Sequence, residues 1–406
     1  MALSPVPPQI SGFSEQGLAQ LDSRLKQYVD EQKIAGLLAV LVRHGQCAYL
    51  GCHGFADRAA HRPMQLDTLF RIYSMSKPVT AAAVMALCDD GSLRLDDPIE
   101  RFLPEFAQLR VFSAEENGRL LSVPVRRSIT IHDLLTHTSG LAYGLEAGSP
   151  IDALYQRERF LRGDEALAEK MTRLASLPLL HQPGERVTYS ISFDVLSRVV
   201  EVISGQSFDR FLYARIFSPL EMADTAFHLP AQKLERLAEI NWVTAGQPLV
   251  DLRPLAWLGR PELPEYTSRE WIDKAVPMRF LSGGGGLVSG LEDYLHFVQM
   301  LANQGSWQGR RILSRAAVAA MTSNQLAPEL CAPGLGSGYG LGILTDPQLA
   351  GLPASPGSFG GGGAAGTDYW VDPGAGLIGL FMVQQIPGSA YPAAQEFQFL
   401  AAQAMA

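Results

Sequence analysis

The chain has 406 residues, of which 47% are hydrophobic and 18% charged, and its formal net charge is −8. This length and composition are typical of a globular protein with two lobes, because one ordinary core takes about 150 residues. The lack of a basic cluster argues against a nucleic-acid partner. No apolar run reaches the roughly 18–20 residues of a membrane span, and the first residues lack the basic and apolar parts of a signal peptide, so we expect a cytoplasmic protein without a membrane partner.

The first two thirds of the chain predict a helix, a hairpin and then a helical region. Residues 18–33 place apolar residues at helical spacing with charges between them, which indicates a surface helix. Residues 37–54 contain two strand-like runs around Arg43-His44-Gly45, which predicts a β-hairpin. From about residue 79 to residue 275 the pattern is mostly helical, interrupted by proline and glycine.

The last third predicts a helix at residues 290–305, strands within 338–346, 367–373 and 375–385, and a terminal helix at 391–406. Strands therefore occur near both ends of the chain, with helices between them. We expect residues 1–78 and 276–406 to form an α/β sheet lobe and residues 79–275 to form a mostly helical lobe inserted into it.

A serine and a lysine stand three residues apart at Ser74 and Lys77, ahead of the small and apolar run PVTAAAVMAL. Residues at this spacing share one face of a helix, and a lysine that loses solvation releases its proton more easily to act as a base. The spacing is weak evidence alone, because Ser23 and Lys26 repeat it on a charged surface helix. The apolar neighbours of Lys77 favour the interpretation of Ser74 as a nucleophile.

Six motifs follow one another in the order found in the β-lactamase-like serine hydrolases, which the chain resembles over residues 15–400. They are SMSKPVT, DDGSLRLDDPIERFLPEF, ITIHDLLTHTSGL, PGERVTYS, SGGGGLVS followed by DYLHFVQMLANQG, and GGGGAAGTDYWVDP. This superfamily includes class C β-lactamases, penicillin-binding DD-peptidases and family VIII carboxylesterases with related acyltransferases. The resemblance implies an α+β fold, in which an antiparallel sheet flanked by helices carries an inserted helical lobe and the active site lies in the cleft between the lobes.

Carried over to this sequence, the resemblance gives roles to three side chains. Ser74 matches the acylated nucleophile, Lys77 its proton acceptor, and Tyr189 the tyrosine that shares the proton or relays it to the leaving group. Whether Lys77 or Tyr189 is the general base stays open. The backbone N–H groups of Ser74 and Ala364 would form the oxyanion hole.

Two departures from the lactamase pattern bear on the substrate. Ile191 stands where lactamases carry the asparagine of Tyr-x-Asn, and Gly361-Gly362-Gly363 stands where they carry Lys-[Ser/Thr]-Gly, although a register one residue off is also possible. The lactamase lysine helps to hold the carboxylate of the β-lactam, and glycine offers no charge. We therefore expect Gly361, Gly362, Gly363 and Ile191 to shape a substrate site that suits esters better than lactams.

The remaining candidates carry less chemistry. The four cysteines have no metal-ligand or CxxC spacing and are expected to be free thiols, and the acidic residues between 89 and 97 are expected to be a solvated loop. His137 is expected to be a structural loop residue. Five aromatic residues between 240 and 280 are expected either to pack inside the helical lobe or to form an apolar wall of the substrate site; they are Trp242, Trp257, Tyr266, Trp271 and Phe280.

The sequence thus predicts a cytoplasmic serine carboxylesterase of the family VIII type, which hydrolyses a small-molecule ester through an acyl-enzyme on Ser74. No metal or organic cofactor is expected. A β-lactamase or DD-peptidase, or an acyltransferase that uses the same acyl-enzyme, is the alternative among enzymes. A non-catalytic sensor of the same fold is the alternative outside enzymes. The oligomeric state stays open.

Overall fold

A computed structural model describes residues 3–145, 149–161, 165–244, 249–252, 267, 269–275 and 279–406. The strands are β1 (Gly36–Arg43), β2 (Gln46–Asp57), β3 (Arg62–Pro63), β4 (Leu69–Arg71), β5 (Arg110–Glu116), β6 (Arg119–Pro124), β7 (Asn241–Trp242), β8 (Val250–Asp251), β9 (Val288–Gly290), β10 (Ser306–Trp307), β11 (Arg310–Arg311), β12 (Leu335–Ser337), β13 (Gly342–Leu344), β14 (Phe359–Gly362), β15 (Asp368–Asp372), β16 (Leu377–Val383) and β17 (Gln385–Ile386).

The helices of the described residues are α1 (Pro8–Ser11), α2 (Glu15–Asp30), α3 (Ser76–Asp89), α4 (Ile131–Leu135), α5 (Pro150–Glu158), α6 (Leu167–Leu174), α7 (Ser192–Ser204), α8 (Phe208–Leu212), α9 (Ala231–Leu234), α10 (Arg269–Ile272), α11 (Leu291–Ala302), α12 (Arg315–Met321), α13 (Pro347–Ala350) and α14 (Ala393–Ala404). No helix among these ranges is both long enough and apolar enough to cross a membrane.

The main sheet joins the two ends of the chain. Its strand order is β12-β13-β14-β15-β16-β1-β2-β3, and neighbouring strands are antiparallel. In β1, Leu37, Ala39 and Leu41 face a core shared with α2 and α14, while Leu38, Val40 and Val42 face the main core. Because both faces of the sheet are covered, β1 is a continuous apolar run rather than an alternating one.

The elements predicted from hydrophobic spacing are confirmed, with small shifts at their ends. The 37–54 hairpin is β1–β2, and the helix expected at 18–33 spans Glu15–Asp30. Its earlier start follows from Ser14, whose side chain accepts a hydrogen bond from the Gly17 N–H and so caps the helix. The four cysteines are not joined by disulfides; they are Cys47, Cys52, Cys88 and Cys331.

The middle segment also contains a hairpin, β5–β6, which the helical pattern concealed. Its turn is Asn117-Gly118, with φ of 50° and 76°. Two positive φ values in a two-residue loop match the twist of a hairpin, and Asn-Gly is the preferred pair for it. The Asn-Gly pair was therefore the sequence signal for this hairpin, within a region that is otherwise mostly helical.

Candidate active site

Ser74 lies in a single 3₁₀ turn, Tyr73–Met75, between strand β4 and helix α3. Strand β4 pairs with β9, which fixes the entry to the turn. Tyr73 has φ of 43°, a left-handed conformation that is rare for a residue with a large side chain and that turns the chain sharply before Ser74. The sharp turn presents the Ser74 hydroxyl at the start of α3.

Two side chains converge on the Ser74 hydroxyl. The Tyr189 hydroxyl lies 2.6 Å from Ser74 Oγ, and Lys77 Nζ donates to the same oxygen at 3.2 Å. Lys77 sits on the first turn of α3, and Tyr189 arrives from the loop before α7. The structure thus brings together the three side chains that the motifs single out.

Lys77 is held in a nearly dry position, with an exposed fraction of 4%. Its Nζ also donates to the Gly284 carbonyl at 2.6 Å. The ammonium group lies 4.5, 5.6 and 6.0 Å from the ring centres of Tyr189, Tyr143 and Phe193. Aromatic faces attract a cation, so this lysine has favourable contacts in place of water.

The ring of His137 packs against the ring of Tyr189. Its ring centre lies 4.7 Å from that of Tyr189, and its Nδ1 accepts the Ser190 N–H at 3.2 Å. Burial, and then the nearby charge of Lys77, lowers the pKa of His137 to about 3. His137 is therefore neutral at working pH, which fits the structural part expected for it.

The second glycine run borders the site on the sheet side. Gly361 pairs with Tyr369 across β14 and β15, and a Cβ added at Gly361 would meet no atom within 4 Å. At Gly363, in contrast, a Cβ would lie 2.4 Å from the Ile72 carbonyl oxygen. Glycine at 363 therefore lets the run approach the segment that leads to Ser74, whereas glycine at 361 leaves open space.

Two cavities meet at Ser74. One, of about 280 Å³, is mostly apolar; its lining includes Tyr73, Tyr143, Leu145, Leu161, Trp271 and Ala364. The other, of about 290 Å³, includes Leu135, Val187, Leu341, Gly360, Gly361 and Gly362. Ser74, Lys77 and Tyr189 border both cavities, so a substrate on Ser74 could place one group on each side.

A larger cavity of about 670 Å³ lies between α11, α12 and the sheet, and its lining contains neither Ser74 nor Lys77. Volume alone therefore does not select the cavities at Ser74. The cluster of polar groups around Ser74 is the better guide.

Of the expected substrate-site residues that the structure describes, Ile191, Trp242 and Phe280 line neither cavity at Ser74. Ile191 has an exposed fraction of 1% and packs in the main core, and it lines neither cavity that meets Ser74. Trp271 does line a cavity, and its ring stacks on Tyr73 at 6.0 Å with an angle of 3°. Trp257 and Tyr266 lie outside the described residues.

Two residues of the site were missed at the sequence level. Tyr143 lines the apolar cavity, and Asp194 is buried behind it, with the Tyr143 hydroxyl 3.5 Å from its Oδ2. Burial raises the pKa of both groups, most strongly for Tyr143. The sequence signal for Asp194 was the acidic residue in the first turn of α7, just after the Tyr189 motif.

No metal site accompanies this cluster: within the part of the chain that the structure describes, no group of three or more His, Cys, Asp or Glu side chains is arranged to hold an ion.

Comparison with known proteins places these observations in a family. The beta-lactamase family model matches residues 21–403. Esterase EstB of Burkholderia gladioli is 35% identical over 375 residues, which cover 90% of this chain and 89% of EstB. Protein Rv1367c of Mycobacterium tuberculosis is 37% identical over 384 residues, which cover 91% of this chain and 90% of that protein.

Among solved structures, EstCE1, described as "a hydrolase with promiscuous acyltransferase activity", is similar with a TM-score of 0.78 at 28% identity. The match covers 95% of this chain and 99% of EstCE1. These similarities extend over nearly the whole chain, and they confirm the fold class expected from the ordered motifs.

Proposed function

Because the chain belongs to the beta-lactamase family, we propose that it is a serine carboxylesterase that hydrolyses short-chain esters through an acyl-enzyme on Ser74. The observation that carries the proposal is the contact of Tyr189 and Lys77 with Ser74 Oγ, at 2.6 and 3.2 Å. A nucleophilic hydroxyl needs a proton acceptor within this range. The similarity to esterase EstB supports the choice of reaction, and within this superfamily the family VIII carboxylesterases are the group we propose.

The first half of the reaction acylates the enzyme. One of Lys77 and Tyr189 must be unprotonated for this step; Ser74 Oγ gives its proton to that group and forms a bond to the ester carbonyl carbon. The carbonyl oxygen takes up the displaced electron pair and is stabilised by the N–H groups of Ser74 and Ala364. The bond between carbon and the alcohol oxygen then breaks, and the alcohol leaves with a proton from Tyr189.

The second half regenerates the enzyme. Water gives a proton to the same pair of side chains and attacks the acyl carbon, and Ser74 leaves with a proton returned to Oγ. Among the described residues, neither the Ser74 amide nor the Ala364 amide donates a hydrogen bond to another group, so both remain available for a substrate oxygen. No step requires a metal or an organic cofactor.

The substrate class follows from the space and charge around Ser74. The apolar cavity of about 280 Å³ suits a short acyl or alcohol group. Gly361 stands where the lactamases carry a lysine, and no atom of the described residues lies within 4 Å of a Cβ built there. An anchored carboxylate needs such a partner, because an unpaired buried charge costs several kcal/mol. A simple ester carries no carboxylate and needs no charged partner.

Acyl transfer is the second candidate, and the second cavity favours it. An alcohol seated in the space of about 290 Å³ could replace water as the acceptor of the acyl group. EstCE1 carries both activities in its description. The ratio of ester to acid formed from p-nitrophenyl butyrate in rising concentrations of a primary alcohol measures this partition.

The test of the proposed function compares kcat/KM for p-nitrophenyl butyrate with that for nitrocefin on one preparation, with Ser74→Ala as the blank. We expect the ester to be turned over about ten- to a hundredfold more efficiently, since a lost anion anchor costs about 1.5–3 kcal/mol. Equal or higher efficiency on nitrocefin would contradict the esterase assignment and favour a lactamase. Absence of any turnover or covalent labelling would favour a sensor.

A further inference from the structure

Asp194 is a buried carboxylate next to the Ser74–Lys77–Tyr189 cluster. The proposed acylation and deacylation steps do not use it. Its Oδ1 accepts the Ser282 hydroxyl at 2.5 Å and the Gly284 N–H at 3.3 Å, and its Oδ2 accepts the Tyr143 hydroxyl at 3.5 Å. All three partners are donors. This arrangement suits an ionised carboxylate, which can only accept hydrogen bonds.

One peptide segment links Asp194 to Lys77. The N–H of Gly284 points to Asp194, and the carbonyl of the same residue accepts Lys77 Nζ at 2.6 Å. The neighbouring Gly283 carbonyl is fixed by Thr80 Oγ1 at 2.9 Å. A shift of Asp194 would therefore move the carbonyl to which the lysine is tethered.

The packing of the first glycine run leaves no room for a side chain at Gly283 or Gly284. A Cβ at Gly284 would lie 2.5 Å from the Tyr143 hydroxyl and 2.7 Å from Asp194 Oδ2, and one at Gly283 would lie 2.0 Å from Ser197 Oγ. Real Cβ atoms do not approach other atoms so closely. The glycines of SGGGG thus permit a close approach between the carboxylate and the tether of the lysine.

We propose that Asp194 is a positioning residue that fixes Lys77 through the Gly284 peptide and, by its negative charge, favours the protonated state of the Ser74–Lys77–Tyr189 cluster. The inference rests on the proposed function of these three residues. In this proposal the SGGGG segment, which contains Gly284, links Asp194 to Lys77.

The titratable groups around Lys77 determine in which direction loss of the Asp194 charge shifts the protonation of the Ser74–Lys77–Tyr189 cluster. Tyr143 and Tyr189 face it from two loops, and His137 is neutral because burial and the charge of Lys77 lower its pKa to about 3. Asp194 faces it from α7. Burial raises the pKa of Asp194, while the Ser282 hydrogen bond, Lys77 and, more weakly, Lys170 act in the opposite direction. Loss of the carboxylate charge therefore makes the cluster give up its proton at lower pH.

The test is Asp194→Asn, which keeps the size of the side chain and removes the charge. The rate of covalent labelling by a fluorophosphonate serine probe is measured from pH 5 to pH 9, beside kcat/KM for p-nitrophenyl butyrate. We expect the midpoint of the acidic limb to fall by about half to one pH unit, and the plateau rate to fall about tenfold from weaker positioning.

Asp293→Asn is the matched control. Asp293 is also a buried carboxylate, it accepts the Thr225 hydroxyl and the Asp224 N–H, and it contacts no residue of the Ser74 cluster among the described contacts. A change in melting temperature is expected in both variants, but a shift of the acidic midpoint is expected in Asp194→Asn alone. Ser282→Ala is the second variant. It removes the shortest hydrogen bond to the carboxylate, which raises the pKa of Asp194 and should move the midpoint in the same direction by a smaller amount.

The inference would be overturned if Asp194→Asn had the same acidic midpoint as the wild type and Asp293→Asn. Asp194 would then have a purely structural role. If Asp194→Asn does not fold, an unmoved midpoint in Ser282→Ala has the same meaning. If the wild type itself is not labelled, the proposed function fails and the inference fails with it. A labelled wild type with unmoved variants overturns the inference alone.

Discussion

The chain contains two Ser-x-x-Lys segments, and the structure separates them by their surroundings. Ser23 and Lys26 lie on α2 at the surface, where 56% of the Lys26 side chain is exposed and its Nζ pairs with Asp30 at 2.5 Å. Lys77 is 4% exposed. Both pairs share a helical face, so spacing alone does not distinguish them.

The difference between the two segments lies in what replaces water. The Lys26 charge is compensated by solvent and by the carboxylate of Asp30. The Lys77 ammonium has a carbonyl, three aromatic faces and the Ser74 hydroxyl as its described contacts. The Ser74–Lys77 pair is therefore a candidate reactive pair because the rest of the fold buries Lys77. Variants of the two segments, and of the residues around Lys77, can break or sharpen this comparison.

The largest expected difference in activity is between substitution of Ser74 and substitution of Ser23. Ser74→Ala should lower kcat/KM for p-nitrophenyl butyrate by about 10⁴-fold or more, because no acyl-enzyme can form. Ser23→Ala, the matched control, should leave it unchanged. Both variants should melt close to the wild type. Substantial turnover by a folded Ser74→Ala variant would mean that the nucleophile lies elsewhere.

The two lysines should differ by about two orders of magnitude. Lys77→Ala removes a proton acceptor and a donor to Ser74, so we expect at least about a hundredfold loss in kcat/KM, while Lys26→Ala loses an exposed ion pair and no activity. Tyr189→Phe should resemble Lys77→Ala. An equal loss in Lys26→Ala and Lys77→Ala, measured with the same ester, would show that burial is not what distinguishes the segments.

The buried cluster should also appear in the pH dependence of stability. The folded protein keeps His137 neutral because its pKa is lowered to about 3, whereas the unfolded chain takes up a proton near the ordinary value of 6.5. The stability contributed by this depressed pKa is present above about pH 6.5 and is lost as the pH falls. Between pH 7 and pH 5 we expect a loss of about 2 kcal/mol from His137.

Urea unfolding of the wild type and His137→Gln at both pH values measures this difference. Glutamine keeps a hydrogen-bond acceptor for the Ser190 N–H and does not titrate. The same pH dependence in His137→Gln as in the wild type would contradict a neutral, buried His137.

The smallest effect is expected from placing a cation beside the cluster. Gly361 has open space for a side chain and an ordinary backbone conformation. Gly361→Lys should raise β-lactam acylation relative to ester hydrolysis by about tenfold, since an anchor for a carboxylate is restored. Gly361→Met has a similar length and no charge, so it should not change the ratio. If both variants shift the ratio equally, shape rather than charge discriminates the substrates.

Much of the fold could be predicted from the sequence because its signals are local. The β1–β2 hairpin and helices α2, α11 and α14 follow from hydrophobic spacing within short windows. The order of the motifs indicated which residues meet, and the structure places Tyr189 115 positions away from Ser74 in the chain but at 2.6 Å. Their catalytic roles remain predictions.

What could not be predicted depends on contacts between distant parts of the chain. SGGGG and FGGGG look alike in sequence, yet Gly284 is enclosed by Tyr143 and Asp194, whereas Gly361 faces open space. Ile191 was expected near the substrate because of its place after Tyr189, but its side chain turns into the core. Such differences are set by packing and leave no local pattern.

If burial of Lys77 makes Ser74 the reactive serine, covalent labelling is the most direct test. The intact protein is treated with a fluorophosphonate probe, digested, and mapped by mass spectrometry beside Ser74→Ala and Ser23→Ala. The account predicts one adduct, on the peptide that carries Ser74, in the wild type and in Ser23→Ala, and none in Ser74→Ala. An adduct that persists in Ser74→Ala, or a wild type that takes up no probe while it hydrolyses p-nitrophenyl butyrate, would contradict the account.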